Sequence, residues 1–151
     1  STEGLATRTG NPRFAYDGYR RLIDMFGSVV MGVDHEHFEH QLQSLKDEKG
    51  VKLDTELEAD DLKELVRRYK AVYEKYVGEG FPQDPMEQLW HAVEAVFRSW
   101  MGKKAIEYRR IEKITGLKGT AVNVQAMVFG NTGNTAGTAT PRHPAEAGGA
   151  L

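Results

Sequence analysis

Between residues 58 and 78 one pattern governs what the chain can become. Leu62, Leu65, Val66, Tyr69, Val72, Tyr73, Tyr76 and Val77 recur at steps of three and four, and Gly78 follows. That period puts all eight side chains on one face of a helix, and such a face is stable only when another element covers it. The covering elements read as further helices. After Asn11-Pro12, a good N-cap with proline at the first turn, Ala15, Tyr19, Leu22, Ile23, Phe26 and Val30 keep helical spacing. Gly27 inside this run and Gly32 after it are the places where that helix weakens or ends.

Asp34 caps a second helix carrying Phe38, Leu42 and Leu45, with Lys46 and Lys49 at the negative end of its dipole and Gly50 closing it. The helix holding the eight-residue stripe starts either from a Thr55/Glu58 capping box or within 58–60. Asp84-Pro85 with Glu87 opens a fourth helix whose stripe is Met86, Leu89, Trp90, Val93, Val96, Phe97, Trp100 and Met101. A short fifth helix follows over 104–113. Four amphipathic helices on short linkers bury their stripes against one another, so residues 11–101 are expected to form a compact all-α unit. The fold class is mainly α: a bundle of four to five helices, then a partial strand and a flexible tail.

The segment 119–131, GTAVNVQAMVFGN, breaks the helical pattern. Val122, Val124, Ala126 and Val128 alternate with Ala121, Asn123, Gln125, Met127 and Phe129, the period of a strand. The second face mixes polar and apolar groups, as a pocket wall does. No other stretch reads as a convincing partner strand, and one strand alone leaves its backbone groups unpaired. The segment is therefore expected to complete a sheet supplied by other polypeptide. Beyond Asn131 the chain turns Gly/Thr/Asn-rich and then Pro/Gly/Ala-rich, a composition expected to stay mobile. An opening Ser-Thr-Glu, with neither initiator Met nor signal peptide, reads as a processed or excised segment.

Composition narrows the partners. With 40% apolar and 28% charged residues and a net charge of -2, the chain has globular composition and no basic nucleic-acid footprint. No run approaches the ~18 apolar residues of a membrane span. The absence of cysteine excludes disulfides and thiol sites and suits a reducing cytoplasm.

Chemistry-bearing clusters are few. His35, His37 and His40 lie in DHEHFEH, but without the i, i+4 pair and glutamate of a zinc-protease helix they read as a solvated face. His91 pairs with Glu87 on a helix surface. No metal site and no Ser/His/Asp set is legible. Lys103, Lys104, Arg109, Arg110 and Lys113 form a basic cluster, read first as a solvated face and second as a phosphate or interface contact. Gly130, Gly133 and Gly137 space a loop that reads as a hairpin turn; neither the P-loop nor the dinucleotide pattern fits it.

Long stretches nevertheless carry a resemblance. RTGNPRFAYDGYRRLIDMFGSVVMGV, DDLKELVRRYKAVY, FPQDPMEQL, AVEAVFRSW, AIEYRR and GTAVNVQAMVFGNTGNTAGT together resemble the pyruvate, phosphate dikinase family, in its N-terminal ATP-grasp nucleotide-binding region, over residues 8–138. The resemblance implies a phosphotransferase that interconverts ATP, phosphate and pyruvate with AMP, diphosphate and phosphoenolpyruvate, using magnesium and a phosphohistidine on a separate domain. It further implies ATP and the remaining domains of the same protein as partners, a homo-oligomeric full-length protein, and a cytoplasmic location. None of the five histidines matches the carrier motif, so no catalytic residue is expected in this chain.

By the same resemblance Gln125 and Met127 face the adenine side of the cleft and Thr138 lies near the phosphates. The amide can pair with a base edge and the thioether can lie on a flat ring. The implied division is a helical insertion subdomain (1–113), a partial ATP-grasp segment (114–138) and a flexible tail (139–151). Where the family has an apolar return strand, this chain has GTATPRHP, and Pro141 opposes a ladder there. The rival readings are a related phosphotransferase such as phosphoenolpyruvate synthase, and a helical module that serves only in docking.

Overall fold

A computed structural model describes residues 1–126, 128–129 and 138–139. Six α-helices appear in order: α1 (Thr2–Thr9), α2 (Pro12–Met25), α3 (His35–Lys49), α4 (Ala59–Val77), α5 (Pro85–Ser99) and α6 (Lys103–Ile111). The mainly α class is thus found, with one further helix, α1, ahead of the Asn11-Pro12 start. Ser1 caps α1, and Gly10 ends it in the left-handed conformation.

The capping residues act as their chemistry dictates. Asn11, Asp34 and Asp84 each accept a backbone N–H at the start of α2, α3 and α5, and Pro12 and Pro85 occupy first-turn positions. Of the two starts open for α4, the later one is realised: Glu58 is its N-cap, and the Glu58 N–H donates to Asp61. Thr55 instead falls in a single 3₁₀ turn, Asp54–Glu56.

The core is built by α2, α3, α4 and the segments joining them. Ile23, Phe26, Phe38, Leu42, Leu45, Leu57, Leu62, Leu65, Tyr69, Tyr73 and Phe81 are all buried in one cluster. Phe38 meets Tyr69 edge-on at 5.2 Å, and Phe81 meets both Tyr73 (5.2 Å) and Phe26 (5.4 Å) the same way. At Gly27 the α-helix widens into a π-helical turn, Phe26–Val30. A Cβ on Gly27 would stand 2.6 Å from the Phe38 ring, so the glycine lets α3 press against the turn.

Polar side chains enter this core together. Arg20, 5% exposed, bonds Asp17 at 2.9 Å and Asp54 at 3.2 Å, and Asp54 also takes the buried Lys46 ammonium at 3.1 Å. Arg13 donates to the carbonyls of Leu57 and Asp54, both at 2.8 Å. The 51–58 linker is thereby tied to α2 and α3, with Leu57 as an apolar plug. Lys46 had read only as a complement to the helix dipole.

Two expectations are corrected. The stripe on the fourth helix is only half covered: α5 has no buried residue among those described, Leu89, Val93 and Trp100 are partly buried, and Trp90 is 63% exposed. Phe81 and the π-helical turn complete the three-helix core before α5 is reached, so no groove remains to take the whole stripe. The strand expected over 119–131 is present only as β1 (Val128–Phe129), while Gly119 to Ala126 lie outside any ladder. Nor does it lack a partner within the chain, since β1 pairs antiparallel with β2 (Thr138–Ala139), Val128 opposite Ala139 and Phe129 opposite Thr138. A ladder needs only backbone groups, so losing apolar side chains on the return segment does not prevent it. Its register ends two positions before Pro141. The tail expected to be flexible lies, from residue 140 on, outside the described residues.

Candidate functional site

The segment after α5 carries the residues expected to meet a ligand. Gly102 starts α6 at a bend so tight that a Cβ there would meet the Ser99 carbonyl at 3.1 Å. Across the bend the Arg109 guanidinium stacks on Trp100 at 3.8 Å from the ring centroid and donates to the Trp100 carbonyl at 2.7 Å. Past α6 the Ile114 N–H reaches the Arg109 carbonyl, Lys113 takes a left-handed φ of 52°, and Gly116 takes φ 80°. Those turns release the chain into the exposed stretch that leads to β1 and β2.

Gln125 lies in that stretch and is exposed. Met127 is outside the described residues. Thr138 places its backbone in β2, opposite Phe129. Gln125 thus precedes β1 by three positions, while Thr138 lies in its partner strand.

The basic cluster divides. Arg109 is committed to Trp100, and Arg110 is paired with Glu107 at 2.9 Å. Lys103 and Lys104 stand exposed in the first turn of α6, where the helix dipole opposes their charge and an anion would relieve it. The Glu107 carboxyl is held below the usual glutamate range by Arg110.

The histidines are occupied separately. His35 Nδ1 lies 2.8 Å from Asp24, whose carboxylate raises the imidazole pKa above its ordinary 6.5. His37 stacks on Tyr76 at 4.0 Å, and His91 meets Phe26 edge-on at 6.1 Å. Among the described residues no three His, Asp or Glu side chains converge as a metal site. The residues at hand thus do not fit magnesium, and no chemical step is routed through it.

Two open grooves lie elsewhere. One of about 780 Å³ runs between α3 and α4, past His37, His40, Arg67, Arg68, Lys75 and Tyr76. Its guanidinium groups are already engaged: Arg68 bonds Glu48 at 2.7 Å and Glu64 at 3.0 Å, and Arg67 shares Glu64. Glu64 is held down to about 2, first by Arg67 and then by Arg68. The second, about 720 Å³, has Lys63 over Tyr16 and Lys70 over Tyr19. Neither groove includes Gln125 or Thr138.

Comparison with known proteins adds the rest. The family model "Pyruvate phosphate dikinase, AMP/ATP-binding domain" matches residues 52–149. The chloroplastic pyruvate, phosphate dikinase of Mesembryanthemum crystallinum is 63% identical over 135 residues, covering 89% of this chain and 14% of that protein. The pyruvate, phosphate dikinase of Clostridium symbiosum is 59% identical over 139 residues, 91% of this chain and 16% of that protein. Pyruvate, phosphate dikinase 2 of Zea mays is 59% identical over 135 residues, 89% of this chain and 15% of that protein. The chain thus spans about one-seventh of the length of the curated relatives it matches.

Proposed function

This chain belongs to the pyruvate, phosphate dikinase family, and from that membership we propose that it forms part of the ATP-binding lobe of a dikinase. The observation that carries the reading is the match of the AMP/ATP-binding domain to residues 52–149, which takes in α4, α5, α6 and the β1–β2 hairpin. The whole protein would exchange ATP, phosphate and pyruvate for AMP, diphosphate and phosphoenolpyruvate through a phosphohistidine borne elsewhere.

Within that reading residues 1–113 are the helical insertion, 114–138 a segment of the ATP-grasp core, and 139–151 a tail. Gln125 and Met127 bear on the adenine and Thr138 on the phosphates. What supports this is chemical: an exposed residue whose amide offers both a donor and an acceptor, close along the chain to the glycines at 130, 133 and 137. Phosphoryl transfer depends on cations positioned around the triphosphate. Magnesium and most of those cations are assigned to residues outside the described ones. The whole protein is read as a cytoplasmic homo-oligomer; no helix among the described residues is long and apolar enough to cross a membrane.

Calorimetric titration with magnesium-ATP tests the reading. A dikinase restored to full length around this chain binds the nucleotide, and Gln125→Ala weakens it; unchanged affinity in the variant removes Gln125 from the site. The 151-residue chain alone transfers no phosphoryl group from labelled ATP, and detectable transfer would overturn that part.

A further inference from the structure

The largest unexplained feature of the molecule is the bare side of α5 and α6. Met86, Trp90, Phe97 and Met101 are 55%, 63%, 52% and 68% exposed, and on α6 Tyr108 and Ile111 are each 60% exposed. At roughly 100° per residue the first four fall within about 60° of one another around the helix axis. The flank holding α5 to the core is different. His91 against Phe26 and Arg98 donating to the Val30 carbonyl at 3.3 Å lie roughly 100° away by the same step. The helix is thus fastened by one side and presents another that carries large exposed apolar side chains.

We propose that this face is a docking surface, and that its occupant is the remainder of the AMP/ATP-binding domain, presenting an apolar patch rimmed by carboxylates. The proposal rests on the family reading above. Three observations select that occupant. The curated relatives are about seven times as long as this chain, so the polypeptide needed to cover the face exists in proteins of this kind. Further along the chain Leu117 and Val124 are also exposed, on the path that leads to β1 and β2. Its charge is biased: residues 85–118 carry seven Lys and Arg against four Glu, and with Arg98 paired to Glu94 and Arg110 to Glu107, the cations of Lys103, Lys104 and Lys113 have no ion-pair partner among the described residues. A second copy meeting this face about a twofold axis would set those cations against each other, whereas an acidic rim would be drawn to Lys103, Lys104 and Lys113.

Hydrogen–deuterium exchange tests the proposal on a chimera in which this chain replaces the matched segment of the Clostridium symbiosum dikinase, beside the 151-residue chain alone. Amides of α5 and α6 are expected to exchange at least tenfold more slowly in the chimera, with α3 amides unchanged as the internal check on folding. Trp90→Glu in the chimera should return α5 to the fast rate. Equal α5 rates in both proteins overturn the proposal. So does slow exchange in the isolated chain accompanied by a concentration-dependent dimer, which would assign the face to a second copy. If the chimera does not fold, the native Clostridium symbiosum dikinase supplies the same reading for its aligned segments. Magnesium-ATP binding by the chimera is scored separately: binding without α5 protection sinks the docking surface and leaves the nucleotide reading standing, and the converse result does the reverse.

Discussion

Single residues in this protein fix how closely its parts can approach. Gly27 is the clearest, because the Phe38 ring that a methyl group would strike is itself wholly buried and has nowhere to retreat. Gly27→Ala is expected to destabilise the chain by about 1–3 kcal/mol, the usual cost of overpacking, as read by urea denaturation. Asp54 has a comparable role in charge. It receives both Arg20 and Lys46, so removing it leaves two nearly buried cations under-neutralised. Asp54→Ala should cost about 2 kcal/mol, less than a wholly buried pair would. The discount reflects an Asp54 side chain that is 39% exposed and an Arg20 that keeps Asp17. Asp54→Asn, which preserves shape but not charge, should fall between the variant and the parent.

Elements differ sharply in how much each depends on the rest. Leu65 on α4 is fully buried, and Leu65→Ala should cost about 2–5 kcal/mol in urea unfolding. Trp90 on α5 contacts little, and Trp90→Gln in the isolated chain should shift stability by about 0.5 kcal/mol or less. That contrast marks the limit of what the sequence makes legible. Caps at Asn11, Asp34 and Asp84 and closing glycines at Gly50 and Gly78 are local signals, and they lie where their chemistry puts them. Periodicity correctly marks the α5 stripe as apolar, but it says only that a face needs cover and cannot say which polypeptide covers it. The Asp17–Arg20–Asp54–Lys46 knot joins residues up to 37 positions apart, and nothing in the local pattern around Lys46 separates a buried ammonium from a solvated one. Of the candidate site, Gln125 and Thr138 are legible only through resemblance, since no motif of fixed spacing surrounds them.

At the scale of the whole molecule, acid should act in one direction on the carboxylates. Glu48, Glu56, Asp61, Glu64 and Glu107 all have their pKa lowered in the folded state by hydrogen bonds from cations or backbone N–H groups. A carboxylate with a depressed folded pKa contributes stability that is fully present above its unfolded value and lost as pH falls through the folded one. The carboxylate contribution to the melting temperature by circular dichroism should therefore hold above pH 5 and drop from about 4.5 toward about 2, the value to which Glu64 is held. Glu48, Glu56 and Glu107 are exposed and Asp61 and Glu64 only partly buried, so the drop should be gradual and weakened by salt. The exposed His35, paired with Asp24, acts in the opposite sense and loses its small contribution as pH rises through the raised imidazole pKa. The placement of the two indoles has a spectroscopic consequence. Trp90 lies on α5 and Trp100 caps its end, while the rings packed inside α2–α4 are tyrosines and phenylalanines. Indole emission therefore watches the arm and is blind to the three-helix interior, which only tyrosine emission can follow. Melting curves recorded at the two chromophores should fail to superimpose, and if they coincide the arm and the interior unfold as one unit.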